Sequence, residues 1–358
     1  MISYIFKKIV YGVFVLWGVL TVVFFLFNVL PGDPSRMMLD KREDSEQLAV
    51  IQKKYAFDRS LGEQYILYLN DISPISIHYN IDNSFTSLVN GKYQYTNLFS
   101  VSNYNLVLKT PYLRESFVRT GTNVTEILVN TFKNTLVLAV SSISIALFLG
   151  LILGVLSALY KDRFFDRLIL FISVLGMSLP SFFASIIIAW FFGFILHKYT
   201  GLNMTGSLYE VDDYGRGSFL QIKNLILPAI TLGIRPLSVI IQLCRNSLLE
   251  VLSMDYIRTA TAKGLSKFKV IFKHALRNAL NPVVTAVSGW FASMLAGAVF
   301  VEYIFAWNGI GKEIVDALNK MDLPVVMGAV LLIASIFVLI NIIVDIIYAW
   351  IDPRIKLN

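Results

Sequence analysis

Six apolar stretches, each near or above the roughly 20 residues that a helix needs to cross a bilayer, recur along this chain and leave it few folds to adopt. They run from Ile9 to Leu30, Thr135 to Tyr160, Leu168 to Leu196, Leu225 to Leu243, Pro282 to Val301 and Val325 to Trp350. Peptide groups in hydrocarbon must pair within their own segment, so runs of this length predict an all-α membrane protein with six transmembrane helices. Composition agrees, with 56% hydrophobic and 15% charged residues in 358, where a soluble domain has about 45–50% and about 25%. The first run follows Lys7 and Lys8 like a secretory signal. It is too long for one and leads into Pro31-Gly32-Asp33-Pro34, not a small-residue cleavage site, so it reads as a retained helix.

The net charge of +7 is distributed as membrane orientation requires, not as a nucleic-acid footprint. Lys161, Arg163 and Arg167 crowd the connection between the second and third runs. Arg245, Arg258, Lys263, Lys267, Lys269, Lys273 and Arg277 lie between the fourth and fifth, against Glu250 and Asp255. On the other side, Lys198, Arg216 and Lys223 are balanced by Glu210, Asp212 and Asp213, and Lys312 and Lys320 are outnumbered by acids. The positive-inside rule therefore predicts cytoplasmic termini, with Arg354 and Lys356 in the tail. The polar stretch 31–134 then lies outside, as long loops cross regardless of charge. Within it, 45–55 and 62–70 have helical spacing, and Ile72 to Thr110, rich in Asn, Ser, Tyr and Ile, reads as short strands or irregular structure.

Cys244 is the single cysteine, which excludes an internal disulfide, and it lies in an apolar run where a thiol is usually inert. His78, His197 and His274 have no ligand spacing, so neither a metal nor a cofactor is expected. Arg235 falls inside the fourth run, where a charge costs about 2.5–3.5 kcal/mol and normally faces the bundle interior or a water-filled path. It reads either as a structural pair or as part of a translocation path. Asp345, near the cytoplasmic end of the sixth run, has the same two readings, with pairing favoured. Pro180 and Pro228 are candidate helix kinks, their freed carbonyls needing other partners. Glu302 opens a short amphipathic stretch, to Asn319, on the external side.

The most informative segment is Asp255 to Pro282. Tyr256 to Lys263 has helical spacing and stops at Gly264, the residue that most easily closes a helix in the left-handed conformation. Ser266 then caps a second helix, on which Phe268, Ile271, Phe272, Ala275, Leu276 and Ala279 form one apolar stripe with Lys267, Lys269, Lys273 and Arg277 off it. Periodicity allows either an amphipathic pair on lipid headgroups or an element that docks in a groove of a cytoplasmic partner.

This helix–Gly–helix segment resembles the coupling loop of ABC importer permeases. Gly264 stands for the loop's glycine and Ala260 for the second Ala of its Glu-Ala-Ala triplet. Arg258 and Thr259 replace the other two, and His274-Ala275-Leu276-Arg277 lacks the usual Pro. The wording Asp255-Tyr-Ile-Arg-Thr-Ala, Ala262-Lys-Gly-Leu-Ser and His274-Ala-Leu-Arg-Asn-Ala-Leu is similar to the dipeptide and oligopeptide permease branch, in its first permease subunit. Leu30-Pro-Gly-Asp-Pro, Met177-Ser-Leu-Pro-Ser-Phe-Phe, Val301-Glu-Tyr-Ile-Phe-Ala-Trp-Asn-Gly-Ile-Gly and Val344-Asp-Ile-Ile-Tyr-Ala-Trp-Ile-Asp-Pro-Arg resemble further landmarks, and residues 72–112 look like an insertion.

The resemblance implies a type I importer permease: helix 1 over 1–30, an external segment over 31–134, a five-helix core over 135–351 with its coupling loop at 250–281, and a tail over 352–358. It implies a homologous second permease, cytoplasmic ATPase subunits, an external binding protein that delivers peptide, and the bacterial inner membrane as the site. The coupling residues would be Asp255, Tyr256, Arg258, Thr259, Ala260, Lys263, Gly264, Leu265, Ser266, Phe268, His274 and Arg277, with Glu302 beside the path. The chain is not expected to be an enzyme: neither Gly91-Lys92-Tyr93 nor Gly311-Lys312-Glu313 is a Walker A motif. Nickel or another small solute is the alternative cargo. A stand-alone secondary transporter would predict inverted repeats or many intramembrane acids, which the sequence lacks.

Overall fold

The structure is a computed structural model that describes residues 2–29, 52–53, 55–79, 85–88, 92–211 and 217–351. The Leu30-Pro-Gly-Asp-Pro landmark, most of the expected helix at 45–55, and the tail with Arg354 and Lys356 lie outside the described residues. The chain divides into two units. One comprises Thr131–Val315 and Ile336–Asn358 with Met1; the other comprises Ile2–Asn130 and Asp316–Ser335.

The second unit contains α1 (Ile2–Val29), α2 (Leu61–Ile72) and the strands β1 (Ile75–Tyr79), β2 (Tyr95–Val101) and β3 (Tyr104–Lys109), with the first residues of α3 (Val124–Leu159) and of α14 (Leu323–Ile351). Ser60 starts α2 with a reciprocal capping box: its hydroxyl accepts from the Glu63 N–H and its own N–H donates to the Glu63 carboxylate at 3.1 Å. The strands form an antiparallel sheet in the order β1-β3-β2. Leu20, Val23 and Phe24 of α1, Tyr68 of α2, and Met327 and Leu331 of α14 make one core. The buried Asp71 organises the sheet's inner side, accepting from Tyr93 Oη at 2.6 Å and Arg114 Nε at 2.9 Å, while its carbonyl accepts from the Tyr112 N–H and from Lys109 Nζ. Burial holds that ammonium down at about 8. Asp322 accepts from Ser116 Oγ and from the Phe117 N–H at 3.0 Å, tying the start of α14 to the loop before α3.

The first unit is helical, with one small hairpin. After α3 come α4 (Phe164–Ser178), α5 (Ser181–Ile188) with a π-helical extension (Ala189–Ile195), α6 (His197–Thr200), the hairpin β4 (Tyr209–Val211) and β5 (Ser218–Leu220), and α7 (Lys223–Leu252). Then follow α8 (Asp255–Ala262), α9 (Lys267–Lys269), a π-helical turn (Val270–Ala275), α10 (Leu276–Ala279), α11 (Asn281–Gly297), α12 (Val299–Ile304) and α13 (Ile310–Asn319). Four described helices are long and apolar enough to cross a membrane, and a fifth span is possible if one bent pair counts as one.

Several expectations are revised. The run from Leu168 to Leu196 is not one straight span but α4 and α5 meeting at 109°. Proline disfavours helical backbone in the residue before it, and Leu179 is extended at ψ 125°. Pro228, by contrast, does not interrupt its helix: α7 runs unbroken through both Pro228 and Pro236. That helix also continues to Leu252, so Arg245 belongs to it and not to the following loop. The fifth run ends sooner than expected, α11 having 17 residues. The stretch from Glu302 to Asn319 is two helices, joined by a turn in which Ala306 has φ 54°.

Helices α3 and α7 pack closely. A Cβ on Gly150 would meet Ile240 Cγ2 at 2.6 Å, and one on Gly154 would meet Cys244 Cβ at 2.7 Å. Gly150-Leu-Ile-Leu-Gly154 is thus a small-xxx-small face that lets two backbones approach where helices gain little from the hydrophobic effect.

Candidate functional site: the α8–α10 hook and its supports

The segment after α7 folds back on that helix. Helix α8 ends at Ala262 with Lys263 as its C-cap, and Gly264 takes φ 78°, its N–H donating to the Thr261 carbonyl at 3.0 Å. Ser266 caps the next helix by accepting from the Lys269 N–H. Ile257 and Ala260 of α8 are buried with Val270, Ala275 and Ala279 against Cys244, Leu248 and Val251 of α7. Asn278 Nδ2 donates to Tyr256 Oη at 2.7 Å and ties the two arms together. Asp255 and Arg258 pair at 3.5 Å with both side chains in solvent, a geometry that contributes little. Thr259 donates to the Asp255 carbonyl. Leu265 and His274 are half-buried, and Lys263, Lys267, Lys269, Lys273 and Arg277 are exposed.

The expected single stripe is split. The π turn over Val270–Ala275 adds a residue to one helical turn, which brings Val270 into the core beside Ala275 and Ala279. Phe268 and Phe272 then face outward, 69% and 48% exposed, their ring centroids 4.4 Å apart and their planes tilted by 32°. An aromatic pair flanked by Lys267, Lys269 and Lys273 has the composition of a docking knob, apolar at its centre and charged at its rim.

Beside the hook, Asp166 of α4 holds Arg245 of α7 in a two-pronged ion pair, Nε to Oδ1 at 2.7 Å and Nη2 to Oδ2 at 2.6 Å. Ser157 Oγ of α3 and the Asp162 N–H complete its shell. Three helices are thereby fixed together just before the chain enters the hook. Sequence reading misses this pair, because its members stand 79 residues apart.

Glu302 lies in a different cage. Its side chain is fully buried and accepts from Thr135 Oγ1 at 2.7 Å, the Gly311 N–H at 2.6 Å and the Lys312 N–H at 3.3 Å. The carboxylate thus receives the first donors of α13, which a helix leaves unpaired. Trp307, also buried, donates to the Asn134 carbonyl at 3.1 Å, and Asn134 Nδ2 donates to the Asn308 carbonyl at 2.8 Å. Burial pushes the Glu302 carboxyl up from 4.5 to about 7. The folded chain therefore binds this proton more tightly than the unfolded one, and stability falls as pH rises from about 4.5 to about 7. Glu302→Gln is expected to flatten that part of the pH profile, read as the thermal midpoint of detergent-solubilised protein at pH 4.5 and pH 7. An undiminished slope would remove Glu302 as its source.

Arg235 projects from an exposed face of α7, and Asp345 is half-buried on α14. Pro180 stands at the bend between α4 and α5. Among the described residues, no group of three or more His, Cys, Asp or Glu could hold a metal ion.

Residues 128–357 match the family described as "Binding-protein-dependent transport system inner membrane component", and residues 1–87 match its N-terminal companion. The chain is 32% identical to the dipeptide transport system permease protein DppB of Alkalihalophilus pseudofirmus, covering 99% of this chain and 100% of that protein. It is 33% identical to the di/tripeptide transport system permease protein DppB of Pseudomonas aeruginosa, with 99% of each covered. The glutathione transport system permease protein GsiC of Salmonella paratyphi A is 31% identical, again over 99% of each. Among solved structures, an inward-facing MetNI methionine ABC transporter aligns with 64% of this chain and 97% of its own at TM-score 0.47 and 19% identity. Matched over its α3–α14 core and again over its N-terminal helix, the chain belongs to the inner-membrane permease family of binding-protein-dependent transport systems.

Proposed function

We propose that this chain is one half of the translocation path of an ATP-driven importer for dipeptides and short oligopeptides, and that the α8–α10 hook receives the force of ATP hydrolysis from a separate cytoplasmic subunit. The observation that carries this reading is the outward Phe268–Phe272 pair on a hook whose other side is packed against α7. It fits insertion into a groove of a partner. The full-length similarity to dipeptide and di/tripeptide permeases supports the cargo.

In this reading the six spans are α1, α3, the α4–α5 pair, α7, α11 and α14. Both termini and the 250–281 loop face the cytoplasm, and 31–134 faces outward. A second, homologous permease faces α7. Arg235, Gln242, Asn246 and Glu250 follow one face of that helix at helical spacing, and a polar stripe on a spanning helix belongs against protein or water, not lipid. Asp345 is a second candidate for the path. Glu302, closed in its cage, acts as the strut that sets α13 beside it. Movement of the docked hook would bias the bundle between inward-open and outward-open states, which requires that the docking contacts differ between those states.

The test is reconstitution of both permeases, the ATPase subunits and the external binding protein. Dipeptide is expected to raise ATP turnover, and a response to nickel alone would overturn the cargo assignment. In the same vesicles Arg235→Leu is expected to slow peptide uptake. Equal uptake of every peptide tried would take Arg235 out of the path.

A further inference from the structure

The β1-β3-β2 sheet is built inside out. Residues directly opposite across a ladder share a face, and one face carries Ile75 and Ile77 on β1, Leu108 and Leu106 on β3, and Phe99 and Val101 on β2. Ile75 and Ile77 are each 58% exposed and Phe99 is 65% exposed. The opposite face buries Ser76, His78, Asn105 and Lys109 around one apolar residue, Val107, which packs with Leu88 and Tyr93, while its β2 positions are exposed. A free-standing antiparallel sheet turns its apolar face to the core and its polar face to water, so the reversal marks a surface that a partner covers.

The surface continues over an edge. β1 is an outer strand, and the Lys109 N–H bonds to the Pro74 carbonyl at 2.9 Å. With this register Ser76 and His78 aim their peptide groups at β3, and Ile75 and Ile77 aim theirs outward. There a cavity of about 460 Å³ opens between β1 and α2, its walls including Ile66, Leu69 and Asn70. Asn70 Oδ1 accepts from the Ile77 N–H at 3.1 Å, while its Nδ2 is buried with no acceptor. The Ile77 N–H is thus already bonded, as is the Ile75 carbonyl, which accepts from Ser73 Oγ, so the groove offers an apolar seat beside the sheet and not a free strand edge.

Charge narrows the occupant. Among the described residues no charged side chain lines this cavity, so a free dipeptide would find no described counter-charge for its ammonium and carboxylate there. Nor does that face, which also carries Tyr79, Tyr104 and Thr96, include a lysine or arginine of the kind anionic headgroups select. An internal segment of a protein has neither problem. Strands β2 and β3 also fall between the two family matches, which end at residue 87 and resume at 128, where a contact peculiar to one partner would be placed.

We propose that the apolar face of the β1-β3-β2 sheet and the groove beside it dock the external substrate-binding protein. This rests on the importer reading and its outward placement of 31–134.

The single cysteine, Cys244, is buried, so Ile77→Cys and Phe99→Cys each give one addressable thiol. Each variant is assembled into the complete transporter in nanodiscs, labelled with benzophenone maleimide and illuminated with the system's purified binding protein. Crosslinks to that protein are expected from both positions, and none from Phe171→Cys on α4. Ile77→Lys with Phe99→Lys is expected to weaken binding at least tenfold at unchanged basal ATP turnover. Crosslinks confined to the second permease, to another copy of this chain or to lipid would overturn the proposal, as would wild-type affinity in the lysine variant. A wild-type complex that neither hydrolyses ATP nor binds the protein would instead sink the importer reading.

Discussion

Asp166→Ala is expected to lower the stability of the bundle by about 3–5 kcal/mol, the effect of stranding one member of a buried ion pair. Asp166 is 1% exposed and receives both nitrogens of Arg245, so alanine leaves a guanidinium, 14% exposed, without its counter-charge. The measurement is the thermal midpoint of the solubilised chain, with Asp162→Ala as the neighbouring control. Adding Arg245→Met to Asp166→Ala is expected to recover most of the loss, because an apolar replacement of the whole pair removes the stranded charge. A single variant as stable as wild type would mean that solvent reaches Arg245 and that the pair fixes nothing.

Gly311→Ala is expected to be nearly as damaging, at about 3 kcal/mol, the upper part of the range for forced overpacking. A Cβ there would lie 2.4 Å from Val299 Cα and 2.9 Å from Glu302 Oε2. The first contact is backbone, so relief requires α12 and α13 to separate, and separation breaks the bonds from the Gly311 and Lys312 N–H groups to the carboxylate. Gly289, whose Cβ would meet nothing within 4 Å, provides the control as Gly289→Ala. Equal midpoints for the two variants would show that the α12–α13 turn yields freely. Both predictions concern the scaffold around the hook and the Glu302 cage, and both are independent of cargo.

What could be read from residues alone follows from how each feature is encoded. Helices α1, α3, α7 and α14 come from long, predominantly apolar runs, and hydrophobicity is local information. The stop at Gly264 and the cap at Ser266 are local as well. The bend at Pro180 is legible as a break, but its 109° depends on what α5 packs against. The outward turn of Phe268 and Phe272 is hidden because a π turn breaks the period on which a stripe is counted. The Asp166–Arg245 pair is hidden because a contact across 79 residues leaves no local trace. The Glu302 cage did have a signal: glycines at 309 and 311, seven and nine residues on, mark a backbone that approaches a side chain too closely for any Cβ. Gly150-Leu-Ile-Leu-Gly154 was equally visible as a spacing.

The proposed role of the hook in energy transfer is tested most directly by peptide uptake into vesicles containing both permeases and the external binding protein, with and without the ATPase subunits. Uptake is expected to require the ATPase and ATP. With Phe268→Glu and Phe272→Glu together it is expected to fall at least tenfold as the ATPase dissociates, because two carboxylates cannot enter an apolar groove unpaired. Uptake that proceeds without any ATPase, or at the wild-type rate in the double variant with the ATPase still bound, would contradict it.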